Sequence, residues 1–343
     1  QTDIKIHEYF STSIMNKNAQ LMYGKLDMHS TSKTYSPLTF LYSISILAAI
    51  SNDSSIEELR QNIVFDQQQL LASVNRLKSD NKTSVVANIF SRSINQISGA
   101  FTEQMQSQYG FAPQQLLSAD QINGWCARHT NGKITELVDD IRNVDSVILS
   151  AFHFKDEFKH KFDKQQTVED TFYGATRTTK KFMHQTNRFQ FHNGDDFKAV
   201  KVQFANSAME QIFVIPKQMN NINLEEVLST KFEEKKVKLT IPKTKIENTL
   251  QLKELLQSIG VRKIFEDIDA TETFGSHLAV SQILQKNFID ISEEGTEAAS
   301  VTGIFMMKGM AQIEEIEEFT ANVPHLSLLV YEGEIVMVTS VVN

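Results

Sequence analysis

The stretch that decides the fold is IDISEEGTEAASVTGIFMMKGMAQIEEIEEFTANVP, residues 289–324. Small and mostly uncharged side chains follow Gly295, and Glu297 carries the one charge in that run. An apolar patch at residues 304–307 comes next, and Lys308-Gly309 and an acidic tract complete the stretch. Taken alone, this pattern is typical of a surface helix or a disordered loop. It also suits a segment that inserts between two strands of a sheet. Small side chains avoid clashes with the side chains of those strands, and each inserted residue can form backbone hydrogen bonds with them.

The bulk composition indicates one ordinary globular domain. The chain has 343 residues, of which 41% are hydrophobic and 22% charged. It has only 13 Gly and 5 Pro and no Gly-, Ser- or Pro-rich tract that would serve as a linker. We therefore expect a single domain over residues 1–343 and a monomer. A net charge of −8 argues against a concentrated basic face, so no nucleic-acid partner is expected.

The single cysteine, Cys126, excludes an intrachain disulfide. Because it follows Trp125 in a predicted helix, a buried structural thiol is favoured over a reactive one. No apolar run has the length of a signal peptide or membrane span, so no membrane partner is expected. The compartment stays open between the cytoplasm and secretion, since glycosylation triplets occur at residues 52–54 and 81–83.

Hydrophobic periodicity places most helices before most strands. Helices are predicted in residues 1–20, 37–50 (with Ser36 as the cap), 56–63, 121–131 and 250–260. Strands are predicted in residues 84–92, 145–154, 197–217 (a pair turning at Asn206-Ser207), 237–246 and 326–341 (a hairpin turning at Glu332-Gly333). No βαβ alternation is present, and the order predicts an α+β fold with large, mostly antiparallel sheets.

The sequence offers no positive support for an enzyme. None of the nine histidines is paired at the spacing of three or four that places two ligands on one helix face, and His184 and His192 are eight apart. Nucleophile-elbow, phosphate-loop and dinucleotide patterns are missing. The acidic run at residues 314–318 reads as a solvated loop. We expect no cofactor and no metal.

The segment Glu293-Glu294-Gly295-Thr296-Glu297-Ala298-Ala299 resembles the hinge motif of the serpin family of serine protease inhibitors. Weaker resemblances follow in the family's order at residues 36–38, 87–90, 131–134, 151–155, 241–243, 286–289 and 319–324. Their collinear order makes the set specific. The resemblance implies a single serpin-like domain, with helices packed on large sheets and an exposed reactive loop at about residues 293–318.

Some positions depart from the family pattern. Phe158 stands where a tryptophan is usual, Gln285 replaces a histidine and Ser150 replaces an asparagine. The family's histidine and asparagine hydrogen-bond across the point where the main sheet opens. The resemblance therefore implies a compensating network of Ser36, Thr39, Ser150 and Gln285.

The resemblance also implies a mechanism. A serpin-like inhibitor offers its loop to a serine protease, and the cleaved loop then enters the main sheet as a new strand while still bound to the enzyme. The residues implied for the hinge are Glu293, Gly295, Thr296, Ala298, Ala299 and Ser300. An ion pair between Lys243 and Glu293 is implied where the loop enters the sheet. The alternative is a non-inhibitory carrier, chaperone or storage protein of the same family.

The bait residue is implied by counting from the hinge. The family's usual spacing from Glu293 ends on Gly309, which offers no side chain to a specificity pocket. Lys308 precedes it and suits a trypsin-like protease. We predict Lys308-Gly309 as the reactive bond. Met307 and Met310 are the alternatives, and they would suit a chymotrypsin-like or cathepsin G-like protease.

Overall fold

The structure is a computed structural model that describes residues 13–50, 54–79, 81–130, 132, 135–296 and 315–343. Within these residues, helices α1 to α9 span Ile14–Lys25, Pro37–Ile50, Ser54–Asn62, Gln67–Lys78, Gly99–Tyr109, Ala119–His129, Leu224–Ser229, Leu252–Ser258 and Thr271–Phe274. Strands β1 to β9 span Lys33–Tyr35, Thr83–Ser91, Gln114–Gln115, Ser146–Phe154, Asp156–Glu157, Val168–Tyr173, Arg177–Asn193, Phe197–Gln203 and Met209–Pro216. Strands β10 to β18 span Glu233–Pro242, Thr244–Gln251, Ile268–Ala270, Ser276–Leu278, Gln282–Ser292, Gly295–Thr296, Ile316–Thr320, His325–Tyr331 and Glu334–Val341.

Two large sheets carry the architecture. One has nine strands in the order β1-β18-β17-β9-β8-β7-β10-β16, with β6 beside β7. The other sheet has seven strands, in the order β3-β2-β4-β14-β15-β5, and β11 pairs with β14 as well. Most neighbouring strands are antiparallel, while the pairs β4–β14, β2–β3 and β10–β16 are parallel. Helices and mixed sheets in one domain confirm the predicted α+β class.

Helix α2 lies beneath the seven-stranded sheet and links it to the nine-stranded one. The helix begins at Pro37, and the hydroxyl of Ser36 accepts a hydrogen bond from the backbone N–H of Thr39 at 3.2 Å, as a capping residue does. Nearly every side chain of α2 is buried, because the helix contacts apolar surface all round. This burial fixes the position of the sheet above it.

Helix α6 covers the outer face of the same sheet. Trp125 and Cys126 pack there with Phe90, Leu149 and Leu284. Cys126 is buried, and burial raises the pKa of its thiol to about 12, so the prediction of a structural thiol is confirmed. Within the described residues, no helix is long and apolar enough to cross a membrane.

Several predicted elements are confirmed. The last hairpin turns at Glu332-Gly333, where both residues have positive φ as a two-residue hairpin turn requires. The helix containing Trp125 ends at His129, and Gly132 beyond it has a φ of +74°. Of the first predicted helix, residues 1–12 lie outside the described residues, and helix α1 begins at Ile14.

Two predictions are wrong. Residues 237–246 do not form one strand, because β10 ends at Pro242 and β11 begins at Thr244 in the other sheet. The less exposed positions shift from odd-numbered residues in β10 to even-numbered residues in β11, but such a shift does not show that the second strand belongs to another sheet. The acidic run is not wholly a loop, because residues from Ile316 onward form the edge strand β16. There Glu318 pairs with Lys238 of β10 at 3.4 Å, which offsets the charge on the edge.

Candidate functional site

The seven-stranded sheet is open in its upper half. Strands β14 and β4 pair in parallel from Gln282 opposite Val147 to Lys286 opposite Ala151. Higher up, β15 separates β14 from β5. Between these two places, residues 287–290 of β14 and 152–154 of β4 face each other with no ladder joining them in the described part of the chain. We call this gap the sheet opening.

A tight turn closes the upper end of the sheet opening. Glu293 and Glu294 connect β14 to β15, which pairs antiparallel with Ile291 and Ser292. Gly295 follows with a φ of +139°, and a Cβ atom there would lie 2.8 Å from the backbone nitrogen of Phe158 and still closer to the carbonyl oxygen of Asp156. Only glycine accommodates this backbone and this approach. The turn therefore explains the glycine of the hinge motif.

Glu293 is buried but well compensated. Its carboxylate lies 2.8 Å from the ammonium of Lys243 and accepts a hydrogen bond from the hydroxyl of Thr167, also at 2.8 Å. Burial by itself would raise the pKa of this carboxyl, but the hydrogen bonds from Lys243 and Thr167 outweigh burial and hold the pKa below its ordinary value. The predicted Lys243–Glu293 ion pair is confirmed.

Glu294 is buried on the other side of the same turn. Its side chain is 3% exposed and forms an ion pair with Lys164, whose own side chain is 60% exposed. The hydrogen bond and charge of Glu294 raise the pKa of Lys164. The backbone carbonyls of Glu293 and Glu294 accept hydrogen bonds from the N–H groups of Phe162 and Phe158, each at 2.8 Å. Sequence reasoning missed Lys164 and Thr167, because no motif marks them.

A hydrogen-bond network fastens the sheet to α2 below the sheet opening. The side-chain amide of Gln285 accepts from the backbone N–H of Ser36 at 3.1 Å and donates to the carbonyl of Ser36 at 2.7 Å. The hydroxyl of Ser36 donates to the carbonyl of Val336 at 2.7 Å and caps Thr39. Gln285 thus ties β14 to the start of α2, and Ser36 continues the link to β18.

Ser150 does not join this network, which corrects the prediction. It lies opposite Gln285 in the β4–β14 register, but its hydroxyl accepts a hydrogen bond from the hydroxyl of Ser43 at 3.0 Å. A serine hydroxyl sits one bond beyond Cβ, so it reaches the helix beneath it and not the next strand. The sheet is therefore attached to the region of α2 at two separate points, through Gln285 to Ser36 and through Ser150 to Ser43.

Two buried polar atoms border the sheet opening without a hydrogen-bond partner in the described structure. They are the side-chain oxygen Oδ1 of Asn287 and the hydroxyl Oγ1 of Thr296. The amide nitrogen of Asn287 donates to the carbonyl of Gln285 at 3.4 Å, so Oδ1 is the acceptor that is left over. Buried polar groups are rarely left unsatisfied. Further polar groups entering the sheet opening would find partners here.

Comparisons with known proteins identify this arrangement. The family model described as Serpin (serine protease inhibitor) matches residues 13–343. The chain is a serpin. Human Serpin B4 is 25% identical to it, over 92% of this chain and 94% of that protein. The family in general consists of protease inhibitors and not of catalysts.

Solved serpin structures share the fold. Serpin48 from the insect Tenebrio molitor superposes with a TM-score of 0.83 at 22% identity, over 96% of this chain and 97% of that one. Human thyroxine-binding globulin, solved in complex with thyroxine, has a TM-score of 0.81 at 17% identity, over 96% of this chain and 98% of that one. At these identities the likeness shows the fold alone.

The upper end of the serpin sheet carries an aromatic cluster around Phe158. Its ring is fully buried and stacks on Phe204 at a centroid distance of 5.1 Å, and Phe162 meets it edge-on at 6.0 Å. The smaller ring at the tryptophan position is accommodated by these two neighbours. Phe158 therefore packs beside the turn at Gly295.

Seven further predicted site residues of this serpin belong to the hinge and the reactive bond. Ala298, Ala299 and Ser300 of the predicted hinge, and Met307, Lys308, Gly309 and Met310 at the predicted reactive bond, lie outside the described residues. Among the residues that are described, no group of three or more His, Cys, Asp or Glu side chains is arranged to hold a metal ion.

Proposed function

We propose that this serpin is a suicide-substrate inhibitor of a serine protease and traps the acyl-enzyme by inserting its cleaved loop into the seven-stranded sheet. The observation that carries the proposal is β15. Gly295 and Thr296 already occupy the place of a new strand between β14 and β5, with the turn at Glu293-Glu294 formed. Insertion would then extend an existing strand downward and separate the β4–β14 ladder below the sheet opening.

The register of β15 predicts where the next residues would go. Thr296 pairs with Ile291 and Asp156, so continuing both ladders places Ala298 beside Ile289 and Phe154. All of these neighbours have buried or half-buried side chains. Small side chains are the ones that such neighbours would accommodate most easily, which agrees with the composition of the stretch after Gly295.

The same register gives the polar residues of the loop a role. Ser300 would lie beside Asn287 and Phe152, and Thr302 beside Gln285 and Ser150. The hydroxyl of Ser300 would then supply the donor that Oδ1 of Asn287 lacks. The inserted state would satisfy a buried acceptor that the open sheet leaves without a partner.

The gain in free energy is large enough to disable a protease. About a dozen new ladder hydrogen bonds at ~1 kcal/mol net each contribute on the order of 10 kcal/mol. A whole domain is stable by roughly 5–15 kcal/mol. The uncleaved state is therefore metastable and is retained by a kinetic barrier.

The protease supplies the chemistry. Its serine attacks the bait carbonyl, which belongs to Lys308 in our proposal, and the peptide nitrogen of Gly309 leaves with a proton from the enzyme's histidine. The acyl-enzyme remains attached to the loop as the loop inserts. Displacement across the sheet distorts the active site of the protease before water can attack the ester.

Cleavage within residues 304–310 by a non-target protease tests the proposal. The cut chain should insert, and its Tm should rise by about 10 °C or more, since on the order of 10 kcal/mol is added and each kcal/mol shifts the Tm of a chain of this length by roughly 1–2 °C. The Thr296→Arg variant, cut in the same place, is the control in which insertion stalls. Equal melting curves for intact and cut wild-type protein would contradict the proposal.

The alternative function is that of a non-inhibitory carrier, chaperone or storage protein. The likeness to thyroxine-binding globulin, a serpin fold solved with a small ligand, is the observation in its favour. A carrier of this kind would show unchanged melting after cleavage and no covalent complex with any protease.

A further inference from the structure

The segment from Phe158 to Thr167 wraps the turn from which any inserted strand must start. Its backbone donates to the carbonyls of Glu293 and Glu294, and its side chains reach both carboxylates, Thr167 on Glu293 and Lys164 on Glu294. We call residues 158–167 the turn clamp.

The turn places two carboxylates next to each other, both almost wholly removed from water. Glu293 is 4% exposed and Glu294 is 2% exposed. Neighbouring buried carboxylates repel each other and lose hydration, so the closed turn is favourable only when cations compensate them. Lys243 reaches Glu293 from the junction of β10 and β11, and Lys164 reaches Glu294 from the turn clamp.

This compensation depends on the state of the turn. When the turn opens and Gly295 and Thr296 leave the sheet, the carboxylate of Glu294 regains water and no longer needs Lys164. The ion pair with Lys164 therefore stabilises the closed turn relative to the open one. It does so before any protease has arrived, because β15 is paired on both sides in the uncleaved chain.

We propose that Lys164 is a positioning residue that holds Gly295 and Thr296 in the sheet and so lets insertion begin without a nucleation step. The consequence for inhibition rests on the function proposed above. After acylation, insertion competes with hydrolysis of the acyl-enzyme. A chain whose turn is open must first close it, and during that delay more of the acyl-enzyme is hydrolysed.

The experiment measures the closed turn first, without a protease. Hydrogen exchange of a peptide covering residues 291–297 is followed by mass spectrometry in the intact wild type and in Lys164→Gln. We expect exchange at the amides of Gly295 and Thr296 to be about five-fold faster or more in the variant. Lys164→Arg keeps the cation and should restore protection.

The matched control is Lys159→Gln. Lys159 is an exposed lysine of the same turn clamp, but its ammonium lies 3.4 Å from the side-chain oxygen of Gln203 and not beside the turn. The control makes the same change in net charge and should exchange as the wild type does. Glu294→Gln removes the buried charge, so adding Lys164→Gln to it should accelerate exchange no further.

The second readout separates this inference from the proposed function. With a protease that the wild type inhibits, Lys164→Gln should raise the number of inhibitor molecules consumed per protease molecule several-fold. Its rate of association with that protease should be the same as that of the wild type, or higher. Unchanged exchange in Lys164→Gln overturns the inference whatever happens to inhibition. Faster exchange with unchanged consumption overturns the role in insertion. Faster exchange in a protein whose wild type traps no protease overturns the proposed function and leaves the closed-turn role standing.

Discussion

The ammonium of Lys243 and the carboxylate of Glu293 lie 2.8 Å apart at the upper end of the sheet opening, where β10 gives way to β11 and β14 turns into β15. Lys243 is the one residue between the two strands that belong to different sheets. The ion pair therefore couples the junction of the sheets to the start of the hinge.

Reversing the charge of Glu293 should release this coupling. In Glu293→Lys, two ammonium groups would meet where one carboxylate was buried, and the closed turn should lose about 2 kcal/mol or more. We expect spontaneous insertion or polymerisation, measured as loss of monomer by size-exclusion chromatography after mild heating. Glu318→Lys makes the same charge change in an exposed ion pair and should stay monomeric. Unchanged monomer content in Glu293→Lys would contradict the coupling.

A charge at Thr296 should block insertion. Thr296 is buried between β14 and β5, and an arginine there meets a desolvation penalty of several kcal/mol in the inserted state. Thr296→Arg should be cleaved as a substrate, and the fraction of protease trapped in an SDS-stable complex should fall about ten-fold or more. Thr249→Arg, at an exposed position of the edge strand β11, is the control and should inhibit normally. Efficient complex formation by Thr296→Arg would show that residue 296 does not enter the sheet.

The bait residue can be read from the released fragment. If the protease cuts after Lys308, the C-terminal fragment begins at Gly309, and mass spectrometry will show that mass. Lys308→Ala should then lower inhibition of trypsin-like proteases about 100-fold or more and spare any chymotrypsin-like activity. A fragment that begins at Lys308 would assign the cut to Met307, and one that begins at residue 311 would assign it to Met310.

A buried histidine should make the stability of this serpin depend on pH. His325 is buried, and its burial lowers the pKa of the imidazole to about 4, against about 6.5 in an unfolded chain. Between these values the unfolded chain binds a proton that the folded chain does not. Stability is therefore complete above about pH 6.5 and is lost as the pH falls toward 4.

From pH 7.5 to pH 5 this histidine should remove about 2 kcal/mol of stability. His325→Gln keeps a polar side chain without the titration, so its melting temperature should fall less over that range. His29→Gln, at an exposed position, should behave as the wild type. The assignment fails if wild type and His325→Gln lose equal stability between the two pH values.

Local patterns were enough for the elements that depend on neighbours in the chain. Turn chemistry predicts the Glu332-Gly333 turn, and β-rich composition predicts the strand at residues 146–154. A glycine at positive φ, Gly260, marks the end of the helix that closes at Ser258. The break at Lys243 could not be predicted this way. The alternation shifts by one residue there, but a shift does not say which strands become the new partners.

The residues of the candidate site also separate into those that the sequence predicted and those that only the structure showed. The resemblance to the hinge motif predicted that Gly295 belongs to the hinge and that Glu293 forms an ion pair with Lys243. It did not predict that Lys164 and Thr167 reach the turn, since they lie more than a hundred residues earlier in a polar segment without a pattern. Ser150 shows the same limit. Because serine replaces the family's asparagine there, the sequence suggested one network with Gln285. The short side chain of Ser150 instead hydrogen-bonds to Ser43.

The sequence by itself determined the composition of the hinge and, through an ordered set of family-like segments, the fold that the hinge serves. Those properties reside in residue type and order along the chain. Only the tertiary structure decided that Gly295 and Thr296 are already paired in the sheet, and which side chains compensate the two buried carboxylates before them. Burial and compensation depend on distances between segments far apart in the chain, and such distances exist only once the sheets have assembled.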